Sequence, residues 1–179
     1  MANSILIMDG NAMARALRRI AHEILEHNPD PATFVLVGIP SRGVELARRL
    51  TDLVKTAEGR EPEFGAIDVS MHRDDLSLRH TLTRVQETHL PLHLEAFTVI
   101  LVDDVLYTGR TCRAAMDAIS SFGRPARIQF AVLLDRGHRE LPIRPDYVGK
   151  NLPTSPEERV KVRLQNIDGE PDSVRLERP

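Results

Sequence analysis

The 179-residue sequence has one cysteine and no apolar run approaching the roughly 20 residues that a membrane-spanning helix needs. The lone cysteine, Cys112, excludes an internal disulfide, which is typical of proteins in a reducing compartment. The first residues also lack the basic and then apolar pattern of a secretory signal. We therefore expect a cytoplasmic protein that does not enter a membrane.

The sequence likewise lacks an excess of positive charge, repeats and low-complexity tracts. Its 24 Lys and Arg residues against 26 Asp and Glu residues give a net charge of −2. This charge provides no general attraction to nucleic acid, so any surface that binds RNA must be a local basic patch. The length and the ordinary 41% hydrophobic content predict a single domain over residues 1–179.

The most informative stretch of the chain runs from residue 99 to residue 111. Four apolar residues, 99–102, are typical of a strand buried on both faces, and Asp103 and Asp104 follow them. A segment rich in hydroxyl groups, Gly and Arg then leads into a helical pattern at 112–119. Backbone N–H groups at such a turn and helix start can bind a phosphate. The two carboxylates would instead suit ribose hydroxyls or Mg²⁺.

An isolated Asp-Asp pair has a simpler interpretation, in which it ends a strand and caps the following helix. The cysteine that follows has no histidine beside it in sequence to activate it. We therefore expect Cys112 to be a packing residue rather than a nucleophile.

A second loop of the same kind follows the apolar strand predicted at 34–37. It reads Gly38-Ile39-Pro40-Ser41-Arg42-Gly43 and precedes a helix predicted at 44–53. Glycines with a Ser and an Arg after a buried strand are typical of a second anion-binding loop.

Strands separated by helices predict the fold class. Further strands are expected at 64–71 and 127–134, and the pattern as a whole predicts an α/β fold with a mainly parallel twisted sheet flanked by helices. Ligands of such folds bind outside the carboxyl ends of the strands. Both anion-binding loops lie at such ends.

A helix predicted at 11–27 carries a basic face opposite its apolar face. At 100° per residue, four basic groups fall together there, with Glu26 among them. The face could simply be solvated, could contact a second copy of the chain, or could bind RNA. Its four basic members are Arg15, Arg18, Arg19 and His22.

Residues 73–93 have poor periodicity and many charges, which favours a mobile flap that folds over bound substrate and excludes water. Four histidines lie near this segment: His72, His80, His89 and His93. Their spacing matches no familiar zinc pattern, and no cysteine accompanies them, so a metal site there is disfavoured.

Residues 103–111, Asp-Asp-Val-Leu-Tyr-Thr-Gly-Arg-Thr, resemble the phosphoribosyl pyrophosphate (PRPP) signature of type I phosphoribosyltransferases. The form is that of the PyrR family, bifunctional pyrimidine-operon attenuators with uracil phosphoribosyltransferase activity. Residues 72–76 resemble the family's Tyr-Arg-Asp-Asp-Leu, with His72 in place of the Tyr. Ser41 and Arg42 stand where the family usually has Thr-Arg, while Pro40 departs from the expected basic or polar residue. Residues 141–155 resemble part of the family's hood.

The resemblance implies the type I phosphoribosyltransferase fold with a small hood, formed by the N-terminal arm and about residues 141–179. It also implies the reaction of uracil with PRPP to give UMP and pyrophosphate, with Mg²⁺ as cofactor. Asp103 and Asp104 would hold ribose hydroxyls directly or through Mg²⁺, and would act in catalysis together with Arg42. The implied pyrophosphate contacts are Ser41, Arg42 and Arg73. The implied contacts to the rest of PRPP or the nucleotide, chiefly its 5-phosphate, are Val105, Leu106, Tyr107, Thr108, Gly109, Arg110 and Thr111. The implied uracil contacts are Arg136, Arg159 and Val160, although Arg136 could form a salt bridge instead and Arg159 could be a plain exposed charge.

Tyr107 occupies a loop position at which some purine transferases of this class have an Asp. A purine acceptor needs a proton handled at a ring nitrogen, so Tyr107 argues for a different base. Uracil itself comes only from the resemblance.

The implied partners are PRPP, uracil, UMP or UTP, a second copy of the chain and pyrimidine-operon leader mRNA. RNA binding would depend on uridine nucleotides and regulate transcription attenuation. Two alternatives remain open from the residues, a transferase without an RNA role and a regulator without turnover. The intact Asp103-Asp104 pair and Arg42 argue against the second.

Overall fold

The computed structural model describes residues 3–72 and 87–179. Eight strands and four α-helices lie within these ranges. The strands are β1 (Asn3–Asp9), β2 (Phe34–Gly38), β3 (Glu63–Ala66), β4 (Thr98–Leu106), β5 (Arg127–Asp135), β6 (Tyr147–Asn151), β7 (Arg159–Arg163) and β8 (Ser173–Arg178). The helices are α1 (Gly10–His27), α2 (Arg42–Glu58), α3 (Arg110–Ser120) and α4 (Gln165–Asp168).

Five parallel strands form the main sheet, in the order β3-β2-β4-β5-β6. All five residues of β2 are buried, which is why this segment reads as a continuous apolar run rather than an alternating one. The sheet separates two apolar clusters, so helices cover both of its faces. This arrangement confirms the predicted fold class.

Helices α1 and α2 supply one cluster, and α3 supplies the other. Leu17, Ile20 and Leu50 pack against the first face of the sheet, whereas Ala115 and Ile119 pack against the second. Asp9 begins α1 by accepting a 2.7 Å hydrogen bond from the Ala12 N–H, in the manner of an N-cap. Among the described residues, no helix is long and apolar enough to cross a membrane.

A second sheet of three antiparallel strands, β1-β8-β7, forms the hood together with α4. The N-terminal arm therefore enters the hood as a strand. The hood begins later than expected, because residues 147–151 pair with β5 as the fifth strand of the main sheet. An uncovered edge of β5 would leave backbone groups unpaired, and β6 satisfies them while burying Tyr147.

Three other boundaries differ from the prediction. Strand β4 continues beyond residue 102 to Leu106, because residues 103–106 still pair with β5. Helix α2 is longer than 44–53, since it begins at Arg42 and ends at Glu58, before the left-handed Gly59. Strand β3 is shorter than 64–71, because the chain leaves β2 after Ala66.

Candidate active site

The loop after β2 crosses directly over β4. The Ile39 N–H donates a 2.9 Å hydrogen bond to the Val102 carbonyl oxygen. At the start of α2, a Cβ on Gly43 would lie only 2.4 Å from the same oxygen, so glycine alone permits this approach. The two predicted anion-binding loops therefore lie side by side at the carboxyl edge of the sheet.

Asp103 and Asp104 lie inside β4, immediately after this crossing. The Oδ1 atom of Asp103 accepts a 2.9 Å hydrogen bond from the Asp104 N–H, and the Oδ1 atom of Asp104 accepts one of 2.8 Å from the Val105 N–H. Helix α3 is capped by Gly109, not by either carboxylate. The simpler interpretation, in which the pair ends a strand and caps a helix, is therefore wrong.

The turn after β4 has the geometry of an anion-binding helix start. Gly109 has a φ of 94°, in the left-handed region, and α3 begins at the next residue, Arg110. The Thr108 hydroxyl accepts a 3.3 Å hydrogen bond from the Arg110 N–H. Because Gly109 has no side chain to cap the first turn, an anion can approach the helix N-terminus closely.

Residues 137–143 support this turn from outside. The Thr108 carbonyl accepts hydrogen bonds from the N–H groups of Glu140 and Leu141, and the Glu140 carboxylate lies 2.7 Å from the Arg110 Nε. Arg139 donates to the Tyr107 carbonyl at 2.9 Å and forms an ion pair with Asp135. These supporting residues were not predicted, because their role depends on a connection between β5 and β6 that carries no motif of its own.

Arg136 is held beside the turn by three acceptors. Its Nε donates to the Thr154 hydroxyl at 3.0 Å, and its Nη2 donates to the carbonyls of Ser155 and Glu158 at 3.1 and 2.8 Å. Its guanidinium carbon lies 4.2 Å from the centroid of the Tyr107 ring. Asp135, its acidic neighbour, pairs with Arg139 instead. The alternative of an Arg136 salt bridge with that neighbour is therefore wrong.

An open cavity of about 470 Å³ lies at this end of the sheet, next to the phosphate turn. His138 rests edge-on against Tyr107, with ring centroids 5.8 Å apart. The volume is within the range of ordinary small-molecule sites. The lining residues are Asp135, Arg136, Gly137, His138, Arg139, Asn151, Pro153 and Thr154.

Arg159 and Val160 begin strand β7 of the hood. Val160 packs against the core, and the Arg159 side chain is exposed. Glu158 connects them to the site, because its carbonyl accepts from Arg136 while its carboxylate accepts from the Ser155 N–H. That hydrogen bond, together with Arg178, lowers the pKa of the Glu158 carboxyl. The structure thus brings the chain at Arg159 next to Arg136.

Arg42 is the first residue of α2 and points toward the hood, where its Nη2 lies 2.6 Å from the Asp168 Oδ1. Ser41 precedes it and is exposed, and the Pro40–Ser41 peptide is cis. Arg73 and most of the predicted flap lie outside the described residues. The structure therefore places Ser41 and Arg42 at the expected loop but leaves Arg73 without an assignment.

Asp103 and Asp104 are the candidate ligands for Mg²⁺. Within residues 3–72 and 87–179, no group of three or more His, Cys, Asp and Glu side chains is arranged to hold a metal ion. Two adjacent carboxylates at the mouth of a ligand site still suit Mg²⁺, which prefers oxygen ligands and usually keeps water or substrate oxygens in its coordination shell. The donor set fits an ion that is held partly through the substrate.

The predicted basic face of α1 is exposed, at Arg15, Arg18, Arg19 and His22. Arg19 is not simply a surface charge. It donates hydrogen bonds to the carbonyls of Val148 at 3.1 Å and of Gly149 on the edge of β6, and it pairs with Glu23. Arg19 thus tethers α1 to the main sheet, a contact that none of the three interpretations of the basic face included.

Comparisons with known proteins agree with this geometry. A family model described as "Phosphoribosyl transferase domain" matches residues 6–166. "Bifunctional protein PyrR" of Chloroflexus aurantiacus is 55% identical over 176 residues, covering 98% of this chain and 97% of that protein. The protein of the same name from Clostridioides difficile is 52% identical and covers 98% of this chain and 99% of its own length. This chain belongs to the PyrR family. The family and the transferase domain predicted from the sequence are thereby confirmed.

Solved structures that resemble this PyrR family member share its fold. A mutant hypoxanthine phosphoribosyltransferase from Trypanosoma cruzi in a ternary substrates complex aligns with a TM-score of 0.76 over 99% of this chain and 96% of its own, at 19% identity. A hypoxanthine phosphoribosyltransferase from Staphylococcus aureus aligns with a TM-score of 0.70 at 16% identity, covering 95% and 90% of the two chains. These likenesses confirm the type I phosphoribosyltransferase fold.

Proposed function

We propose that this PyrR family member catalyses the reaction of uracil with PRPP to give UMP and pyrophosphate, and regulates transcription attenuation by binding pyrimidine-operon leader mRNA in a uridine-nucleotide-dependent way. The observation that carries the enzymatic proposal is the meeting of two anion-binding loops around Asp103 and Asp104. The Ile39–Val102 hydrogen bond holds the first of these loops against β4, just before the acidic pair. PRPP carries phosphate groups at both ends of its ribose, and this site offers one loop for each.

The reaction needs a site that positions its substrates and stabilises charge, because its transition state resembles an oxocarbenium ion at C1 of the ribose. The N-terminus of α3 and residues 107–111 bind the 5-phosphate. Ser41 and Arg42 bind the pyrophosphate and stabilise its charge as it leaves. Asp103 and Asp104 orient the ribose through its hydroxyls, and their negative charge favours the cationic ring of the transition state.

Mg²⁺ would be held by Asp103 and Asp104, partly through substrate oxygens, and when bound it neutralises charge on the pyrophosphate. The oxygen-only donor set of the pair supports this choice of ion.

The base lies in the cavity between the phosphate turn and β6. Thr154 lines this cavity, and Arg136 fixes the chain that follows it through the Ser155 and Glu158 carbonyls. Arg159 covers the base, and Val160 contributes backbone groups to its edge. Tyr107 stands where some purine transferases have an Asp, so the site lacks at that position a carboxylate that could handle a purine ring proton.

The regulatory half of the proposal rests on the exposed basic face of α1. Arg15, Arg18 and His22 form no hydrogen bond with another described side chain or carbonyl, which leaves their charge available for phosphates. A two-fold axis that sets two such faces side by side would double the basic footprint, and cyclic dimers are the commonest oligomers. We propose such a homodimer, acting in the cytoplasm on leader mRNA.

Both activities can be measured on one preparation. Conversion of labelled uracil to UMP in the presence of PRPP and Mg²⁺ tests the enzyme, with hypoxanthine as the competing acceptor. Filter-binding titrations against pyrimidine-operon leader RNA, with and without UMP, test the regulator. UMP formation without nucleotide-dependent RNA binding would support a transferase without an RNA role. RNA binding without UMP formation would overturn the enzymatic assignment.

A further inference from the structure

Asp168, the last residue of the short hood helix α4, connects the hood to the loop that follows β2. Its side chain is only 7% exposed. The Oδ1 atom accepts from the Arg42 Nη2 at 2.6 Å and from the Arg163 Nη1 at 3.1 Å, and the Oδ2 atom accepts from the Leu164 N–H at 2.8 Å. The carboxylate is therefore fixed from three directions, two of which lie within the hood itself.

Arg42 is the partner that belongs to the active site. Its side chain is 31% exposed, yet its Nε is buried and has no hydrogen-bond acceptor among the described residues. Asp168 therefore binds the Arg42 guanidinium through its Nη2 atom alone. A guanidinium has five N–H donors in a rigid plane, so fixing one nitrogen also fixes the direction of the others.

Asp168 belongs to a small network of charges. Its carboxylate faces the guanidinium groups of Arg42 and Arg163, and the Glu170 carboxylate lies 3.7 Å from the Arg163 Nε. Burial alone would raise the pKa of the Asp168 carboxyl. The Leu164 N–H and the two arginines outweigh this effect and hold the pKa below its usual value. Asp168 is thus ionised at neutral pH.

We propose that Asp168 is a positioning residue for the pyrophosphate group, acting through Arg42. This inference rests on the proposed transferase function. The Asp168–Arg42 contact orders the Arg42 side chain before PRPP arrives, so that less conformational freedom is lost when the pyrophosphate binds. Because Arg163 shares the carboxylate, the contact also joins the hood to the pyrophosphate loop.

The chain contains a matched control for this role. Asp172 also lies in the hood, accepts a backbone N–H (that of Gln165, at 2.9 Å) and forms an ion pair with an arginine of α2. That arginine is Arg49, two helical turns beyond Arg42 and away from the loop. Replacing Asp172 removes a carboxylate that anchors the hood but touches no residue assigned to PRPP.

The test compares two ligands that differ in the pyrophosphate group. Dissociation constants of PRPP and UMP, each with Mg²⁺, are measured by calorimetry for the wild type, Asp168→Asn and Asp172→Asn. We expect Asp168→Asn to weaken PRPP binding about tenfold, and to change UMP binding less than about twofold, since UMP has no pyrophosphate. Asp172→Asn should leave the ratio of the two constants unchanged. The inference would be overturned if Asp168→Asn weakened PRPP and UMP binding equally. It would also be overturned if the ratio of the two dissociation constants were the same in Asp168→Asn and Asp172→Asn.

A double-mutant cycle gives an independent readout and still works if Asp168→Asn is poorly stable. In the Arg42→Gln background, Asp168→Asn should cause no further loss of PRPP affinity, because the residue acts through Arg42. Asp168→Glu, which keeps the charge but shifts its position, should weaken PRPP alone and by less than Asp168→Asn. If the losses of PRPP affinity caused by Arg42→Gln and Asp168→Asn were additive, Asp168 would not act through Arg42 and the inference would be overturned. A wild type that binds UMP but not PRPP would instead overturn the proposed transferase function.

Discussion

The Ile39 N–H donates to the Val102 carbonyl over 2.9 Å, one residue before Asp103. This contact joins two segments more than 60 residues apart in the chain. It places the loop assigned to pyrophosphate against the strand that carries the acidic pair. The site is therefore built from backbone contacts between neighbouring parallel strands before any ligand binds.

Gly43 is the residue on which this crossing depends. A Cβ there would lie 2.4 Å from the Val102 oxygen and 3.2 Å from the Asp103 Cα, and backbone atoms cannot simply rotate away. We expect Gly43→Ala to lower the free energy of unfolding by about 1–3 kcal/mol, as measured by urea denaturation. Gly10→Ala is the control, because its Cβ would make only ordinary contacts of 3.5 Å or more. If Gly43→Ala and Gly10→Ala lowered the free energy of unfolding equally, the close approach of Gly43 to the Val102 oxygen would not constrain the fold.

Cys112 should be unreactive in the native protein. Its side chain is 4% exposed, and burial, together with the nearby Asp103 carboxylate, raises its pKa to about 12. At pH 8 the thiolate fraction is then on the order of one in ten thousand, against roughly a quarter for an ordinary cysteine thiol. Iodoacetamide should label the protein in urea but not in buffer, as read by mass spectrometry. Rapid labelling of the folded protein would contradict the packing role.

The basic face of α1 has two parts. Arg19 binds backbone carbonyls of β6, whereas Arg15, Arg18 and His22 form an exposed basic patch. Arg19→Gln removes the hydrogen bonds to β6 and should lower the free energy of unfolding by about 1 kcal/mol. Arg18→Gln should leave stability near that of the wild type while weakening leader-RNA binding and reducing the salt slope of that binding by roughly one. Uracil phosphoribosyltransferase activity should stay near wild type in Arg18→Gln, since α1 lies away from the strand-end site. Unchanged RNA affinity in Arg18→Gln would show that this basic patch of α1 does not bind leader RNA.

The hood carboxylates should make stability depend on pH in the acid range. Hydrogen bonds and ion pairs outweigh burial and lower the pKa values of Asp168 and Asp172 in the folded chain. A lowered folded pKa means that the stabilisation is fully present above the unfolded value, about 3.9, and is lost as the pH falls through the folded value. The wild type should exceed Asp168→Asn/Asp172→Asn in unfolding free energy at pH 7. The two proteins should converge once the pH has fallen through the lowered folded values, and a gap of constant size at all pH values would contradict the assignment.

The main sheet and the two anion-binding loops could be predicted from the sequence because their signals are local. The buried runs of β2 and β4 show no alternation, and each is followed at once by its loop. The continuation of β4 through Asp103 and Asp104 was missed, since charged residues at a predicted strand end look like a boundary. Only the pairing of residues 103–106 with β5 shows that the strand goes on.

Contacts over long sequence separations could not be predicted. Arg19 and Gly149 lie 130 residues apart, and Arg42 and Asp168 lie 126 apart. Each of these arginines is typical of an exposed position when it is considered with its neighbours in sequence. Asp168 followed by Gly169 is likewise typical of a turn, which conceals the role of its carboxylate. Such pairs can be recognised only once the structure shows how the hood packs against α2.

The enzymatic role of the acidic pair can be measured as the rate of UMP formation from uracil and PRPP by the wild type and by Asp104→Asn. We propose that Asp104 binds the ribose and Mg²⁺, where its charge would stabilise the transition state. We expect Asp104→Asn to lower turnover by about 10²-fold or more. The control Asp117→Asn replaces an exposed carboxylate on α3 and should retain wild-type turnover. Wild-type turnover by Asp104→Asn, or no UMP formation by the wild type itself, would contradict the account.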